Sequence, residues 1–402
     1  MNIKPENPSP GFVESILLMS LLISLTALSI DTMLPALPEI GRDLHVQFAN
    51  DVQLIISMLI LGLSIGQLIF GPLSDSMGRK PVLFAGIMIF ITGCMLCLFS
   101  ASFAVMLIGR IVQGIGVAGP RTIVLALIRD QYEGRSMARM MSSIMSVFIM
   151  IPAIAPSIGQ GILMVASWRT IFGSLLCLAL FALAWFVWRQ PETLLSPYRI
   201  PFSFTKITRA FIEVCTHRIA LGYTVVTGFI FGAFLGYLNS AQQIFQEIYG
   251  LGRLFPIFFG ILALSIGCAS FFNSRIVVRY GMRKLAARAM MTIATLSMVY
   301  LIVVYFMGGV SPLWMFMSCL IAVFFCIGIL FGNLNSIAMM PMGHIAGTAS
   351  SVIGSLSSFI AVPLAVLIGR CYNGTTLPLI AGFIVLSALS IFIMRWANFS
   401  PR

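Results

Sequence analysis

The sequence predicts an all-α polytopic membrane protein, twelve transmembrane helices in two pseudo-symmetric six-helix bundles. Three observations carry that prediction. Of the 402 residues 59% are hydrophobic and only 9% charged, whereas a soluble domain carries roughly a quarter charged residues. Apolar runs of about 20 residues, each long enough to cross a bilayer, recur along the whole chain. The basic residues also alternate between the two ends of those runs. The spans lie near residues 15–37, 52–72, 81–100, 104–127, 138–163, 168–188, 218–240, 254–274, 284–306, 311–334, 345–369 and 376–395.

Charge sets the orientation. With the N-terminus inside, eighteen Lys and Arg residues, from Lys4 to Arg402, fall on the cytoplasmic side, against only Arg42, Arg169, Arg253 and Arg370 on the other. This positive-inside asymmetry places both termini in the cytoplasm. It also accounts for the formal charge of +12, which in a soluble chain would point to nucleic acid; no nucleic-acid partner is expected here. The first run, flanked by Lys4, Glu6 and Glu14, reads as a span rather than a cleaved signal. The eight cysteines lie almost all inside apolar runs and read as small buried hydrophobes. Cys94 and Cys97 form a C-x-x-C with no second pair or nearby His, so no metal site is expected. No phosphate-binding G-x-x-x-x-G-K-[ST] occurs, so ATP-driven pumping is not expected, nor is a cofactor.

The spans divide six and six around the hydrophilic stretch 189–217, giving bundles at 1–188 and 218–402 joined by a linker with room for one interfacial helix. The connection after span 2, "GPLSDSMGRKP", resembles the one after span 8, "NSRIVVRYGMRKL", with Gly78 aligned on Gly281. Such internal duplication is a layout of secondary transporters.

Within span 1, Asp31 is the single acid deep in an apolar run. A carboxylate there costs on the order of 2.5–3.5 kcal/mol, so it should face the interior and find a partner. Pro35 and Pro38 follow. Lacking an N–H, they cannot bond the carbonyls of Asp31 and Leu34, and they break the helix beside the acid. Arg110 in span 4 is the candidate partner, because both residues lie about seven positions from the outer ends of their spans, roughly 10 Å deep at 1.5 Å per residue. The competing reading is an ion pair that only fixes helix packing. A titrating Asp31 beside Arg110 suits proton coupling: burial favours the neutral acid, the arginine the charged one.

Five stretches resemble the major facilitator superfamily. "GPLSDSMGRKP" (71–81) is similar to its signature loop, "GRIVQGIGVAG" (109–119) to its span-4 motif, and "PAIAPSIGQGI" (152–162) to the span-5 motif of antiporters. "SIDTMLPALP" in span 1 and "AGTASSVIGS" (346–355) narrow the resemblance to the bicyclomycin-resistance-type (Bcr/CflA) branch of twelve-span drug:proton antiporters. Two residues depart from the antiporter pattern: Ala155 stands where it has glycine before its proline, and Gln160 interrupts the later glycine pair. The resemblance implies the major facilitator fold and a conformational gate built on Gly71, Asp75, Gly78, Arg79 and Lys80. In that gate Arg79 meets Asp130, and Asp75 meets the start of span 11 at Gly347 and Thr348. It also implies that Pro152, Pro156, Gly159 and Gly161 shape a hinge in span 5, while Gly114 permits close helix approach.

Candidate substrate-cavity residues are Met33 and Gln113 in the first half and Tyr237, Asn239, Gln242, Asn333 and Asn335 in the second; packing or lipid-facing roles compete for each. The expected function is a proton-coupled efflux antiporter for amphipathic small molecules in a bacterial inner membrane, acting as a monomer and not as an enzyme. A membrane potential of 100 mV supplies about 2.3 kcal/mol per charge and a pH unit about 1.4. One acid per cycle therefore suits neutral or zwitterionic substrates better than cations. A dedicated exporter of one metabolite or siderophore, and a proton-coupled uptake symporter, are the alternatives.

Overall fold

The computed structural model describes residues 10–399; Lys4, Glu6 and Arg402 lie outside the described residues. All regular structure among them is helical. In chain order the helices are α1 (Phe12–Asp31), α2 (Leu37–Asp43), α3 (Leu54–Met77), α4 (Arg79–Leu98), α5 (Phe103–Gln131), α6 (Gly134–Leu163) and α7 (Arg169–Arg189). They continue with α8 (Phe204–Thr216), α9 (Arg218–Gln243), α10 (Phe255–Tyr280), α11 (Met282–Phe306), α12 (Leu313–Met339), α13 (Ala346–Arg370) and α14 (Leu377–Asn398). Leaving aside the short α2 and the linker helix α8, these are the twelve long apolar helices the composition demands. The chain spans a membrane many times. α12 and α13 run almost into one another through a 3₁₀ turn, Met340–Ile345, where Met342 leaves helical geometry one residue after Pro341 removes an amide.

The break in span 1 falls where proline chemistry puts it. α1 stops at Asp31, a 3₁₀ turn covers Leu34–Ala36, and α2 follows. The hydroxyls of Ser29 and Thr32 turn back onto the carbonyls of Leu25 and Leu28, as such side chains do when no water is at hand.

Two compact units form. The first comprises Met1–Met33 and Met58–Ile207, the second Leu34–Ser57 and Thr208–Arg402. In the first, α4 lies along α5 and α7, and α1 along α5, α6 and α7. Here α3, α4 and α5 meet on bare backbone. A Cβ on Gly114 would stand 2.0 Å from the carbonyl oxygen of Leu59, one on Gly62 2.1 Å from that of Ile111, and one on Gly116 2.1 Å from the amide nitrogen of Phe90. Small residues permit such approach where no hydrophobic drive separates helix from lipid. In the second unit α9 packs along α13 and α14, and α12 sits against α9, α10 and α11.

α6 runs as one helix through Pro152 and Pro156. Gly159 is buried, whereas a Cβ on Gly161 would meet nothing within 4 Å.

Candidate functional site

Asp31 closes α1 and is 5% exposed. Among the described residues its carboxylate has no hydrogen bond or ion pair. Arg110, 0% exposed, reaches α1 as the depth argument requires, but the expected Asp31–Arg110 pair is not formed. Arg110 instead donates to the carbonyl of Ser29 at 2.8 Å and to the side-chain oxygen of Gln113, with its guanidinium 5.9 Å from the Phe172 ring centre. The physical reason lies in the helix break. A helix that ends at Asp31 leaves its last carbonyls without intrahelical partners, and a cation at a C-terminal helix end is favoured by the dipole. The orphan carbonyl of Ser29 takes the fork that the carboxylate was expected to hold.

Gln113, read as a cavity residue, is fully buried between Arg110 and the Sγ of Cys94, to which its amide donates at 3.1 Å. Met33 is likewise fully buried. The first unit thus builds a buried layer of Ser29, Arg110, Gln113 and Cys94 that does not engage the Asp31 carboxylate.

At the far end of α3 and α4 the signature loop makes a charged cluster. Gly78 turns the chain at φ +107°, ψ 158°, a region essentially closed to other residues. Gly71 accepts from the Ser74 hydroxyl at 2.8 Å. The buried Arg79 donates to Asp130 at 3.0 Å, to Ser74 at 2.8 Å and to Asp75, so the expected Arg79–Asp130 contact is present. Lys80 reaches the carbonyl of Val187 at 2.7 Å. Gly347 and Thr348 lie in the first turn of α13, in the second unit.

Sequence reasoning missed Glu192. Its carboxylate accepts the backbone amides of Arg79 at 2.9 Å and Lys80 at 3.0 Å, capping the first turn of α4, and it also accepts those of Thr193 and Leu194. An anion at a helix N-terminus is stabilising on dipole and hydrogen-bond grounds alike. The available signal was an isolated acid in "RQPETLL" immediately after a span.

In the second unit the polar candidates are largely engaged by neighbouring polar side chains. Asn239 donates to Ser57 at 3.0 Å, and Gln242 to Gln246 at 2.9 Å. Around Asn239 runs a ladder of neutral amides. Gln53 donates to Gln243 at 2.8 Å, Gln243 to Asn50 at 2.8 Å, and Asn50 to the carbonyls of Arg370 and Tyr372 at 3.1 and 3.0 Å. Asn333 is buried in a reciprocal amide pair with Asn273, while Asn335 is exposed. Two positions on a helix are about 200° apart, so these asparagines do not line one pocket. Tyr237 packs edge-on to Phe324, ring centres 4.7 Å apart, and stacks on Phe259 at 5.9 Å.

The Major Facilitator Superfamily profile matches residues 19–366. Similar proteins include the uncharacterized MFS-type transporter YdgK of Bacillus subtilis, 31% identical over 365 residues, 89% of each chain. The bicyclomycin resistance protein homolog of Haemophilus influenzae is 28% identical over 403 residues, 96% of this chain and 97% of its own. The chloramphenicol resistance protein of Pseudomonas aeruginosa is 28% identical over 366 residues, covering 88% and 83%. Among solved structures, the human organic anion transporter MFSD10 aligns with a TM-score of 0.70 at 17% identity over 97% of this chain and all of its own. The xylose transporter XylE of E. coli aligns at 0.72 and 14% over 97% and 98%. At those identities the structures share the fold alone, and the profile carries the kinship: this chain belongs to the major facilitator superfamily.

Proposed function

We propose that the chain is a proton-coupled antiporter that exports amphipathic small molecules across a bacterial inner membrane, acting as a monomer with both termini in the cytoplasm. The observation that carries the reading is the buried carboxylate of Asp31, which has no partner among the described residues and stands where the helix of span 1 gives way. Desolvation favours the protonated acid and access to water the ionised one, so a change of access at this position loads or releases one proton. Arg110 acts here as the fixed cap of α1, holding the backbone beside Asp31 while the acid titrates. Support for export comes from relatives whose names state resistance to bicyclomycin, to chloramphenicol or to multiple drugs.

The test is transport by the purified protein in vesicles under an imposed pH step, with Asp31→Asn beside the unmodified chain. The expected result is substrate movement that follows the step in the wild type and ignores it in the variant, with both equally folded. A normal pH response in Asp31→Asn overturns the assignment. A panel of unrelated compounds in the same vesicles separates broad export from a dedicated exporter of one metabolite or siderophore. The direction of transport against the proton gradient separates both from uptake.

A further inference from the structure

The turn between α10 and α11 is the internal counterpart of the signature loop, yet it holds a very different set of charges. Arg275 and Arg279 stand on the last turns of α10, Arg283 and Lys284 on the first turn of α11, and Arg288 one turn on; all five are exposed. No acidic residue occurs anywhere after Glu247, and none of the five makes an ion pair among the described residues. Three guanidinium groups rest on rings of the same segment. Arg275 lies 4.5 Å from the centre of Phe271, and Arg279 and Arg288 lie 5.6 and 5.9 Å from that of Tyr280. Beside them Phe271, Phe272 and Val278 are exposed, Val278 at 89%.

Arg275 and Arg279 suit the C-terminal end of α10, but Arg283 and Lys284 oppose the dipole at the N-terminus of α11, and no carboxylate offsets them. An anion placed at the start of α11 gains from that helix's dipole and from the surrounding cations. The apolar residues around the turn belong to membrane-spanning helices, so the anion that fits must sit at the bilayer surface with a hydrocarbon tail beside it.

We infer that the α10–α11 turn binds the phosphodiester headgroup of an anionic phospholipid of the cytoplasmic leaflet. Arg275, Arg279, Arg283, Lys284 and Arg288 supply the charge, while Phe271, Phe272 and Val278 lie against the acyl region. Clusters of four to eight basic residues directly flanking a membrane helix bind anionic lipid in this way. The leaflet rests on the orientation proposed above; the binding itself does not, and a symmetric bilayer tests it independently of that reading.

The experiment places the full chain in symmetric bilayers and measures, by electron spin resonance, how strongly spin-labelled phosphatidylglycerol is held relative to spin-labelled phosphatidylcholine. The wild type is expected to prefer phosphatidylglycerol, and added salt should weaken that preference. The combined change Arg275→Gln, Arg279→Gln, Arg283→Gln should lower the preference about tenfold or more. The pair Lys206→Gln, Arg209→Gln on α8, which removes two cations from another segment, should leave it nearly intact. Arg279→Gln alone, an exposed single change, provides a second variant that perturbs folding least and should reduce the preference in part. No preference in the wild type overturns the inference. An equal loss in the α8 pair does so too, because it reduces the effect to the general basic character of one face.

Discussion

The two internal repeats turn the same corner and hold it differently. After α3 the chain passes through Gly78 at φ +107°, ψ 158°, and after α10 through Gly281 at φ +78°, ψ 146°. Both glycines flank a new membrane helix, and both lie in or beside the backbone region reserved for glycine. At Gly78, however, Asp75, Asp130 and Glu192 surround Arg79 and the start of α4. At Gly281 a Cβ would meet nothing within 4 Å, and the arginines face outward. The backbone turn is much the same in both, while carboxylates tie the first into a cluster of ion pairs and their absence leaves the second a bare cationic surface. The glycine belongs to chain geometry, whereas the ion-pair cluster depends on side chains from elsewhere in the chain.

Several substitutions break or sharpen that contrast. The largest effect is expected for Arg79→Ala, which leaves Asp75 and Asp130 facing each other. Breaking a buried pair costs about 3–5 kcal/mol, and the 41% exposure of the Asp75 side chain places this one at the low end. Thermal unfolding in detergent measures it, and a variant as stable as wild type would mean that the ion-pair cluster contributes nothing to stability.

Gly78→Ala comes next. The backbone strain costs about 1–3 kcal/mol, and the new Cβ would stand 2.6 Å from the Glu192 carboxylate, which moves only by loosening its cap on α4. Gly281→Ala incurs the strain without the collision. Paired melting curves should therefore show the greater loss at Gly78, and equal losses would mean that the cap contributes nothing.

Glu192→Ala removes an N-terminal cap and should cost about 0.5–2 kcal/mol. Glu192→Gln, which keeps an acceptor but not the charge, should lose less; the charge-dependent part of both deficits should shrink as salt rises, leaving Glu192→Ala the larger remainder. The smallest effect is expected at the other corner: Arg279→Gln should alter stability by no more than about 0.5 kcal/mol, as exposed changes usually do. A large destabilisation there would mean that the second turn is also a stabilising cluster.

Much of this was legible in the sequence for local reasons. Hydropathy marks twelve spans because a lipid-embedded helix must be apolar along its whole length, and the end of α1 follows from a missing amide at Pro35. Arg79 with Asp130 is legible through the motif resemblance. What escaped reading depends on partners that residue type does not announce. One acceptor for Arg110 is the backbone carbonyl of Ser29, a group present at every position of every sequence and significant only where a helix ends. Glu192 reaches Arg79 across more than a hundred residues, and nothing in its neighbours names α4 as its target. Asn333 and Asn335 were grouped by polarity, although helical spacing alone separates their faces. The amides of Asn50, Gln53 and Gln243 answer one another only once residues 50–53 fold against α9 and α13 within the second unit.

The glycine seam of α3, α4 and α5 has a use beyond packing. Because the contact is backbone on backbone at Gly62, Gly114 and Gly116, it contains almost no rotamers to hop and no flexible side chains to give way. Spectroscopic labels on the lipid-facing sides of α3 and α5, within the first unit, should keep a constant separation through every phase of transport. Such a pair supplies an internal ruler against which displacement elsewhere in the chain is calibrated, and a drift in its reading reports disturbance of the protein by the labels rather than its working motion.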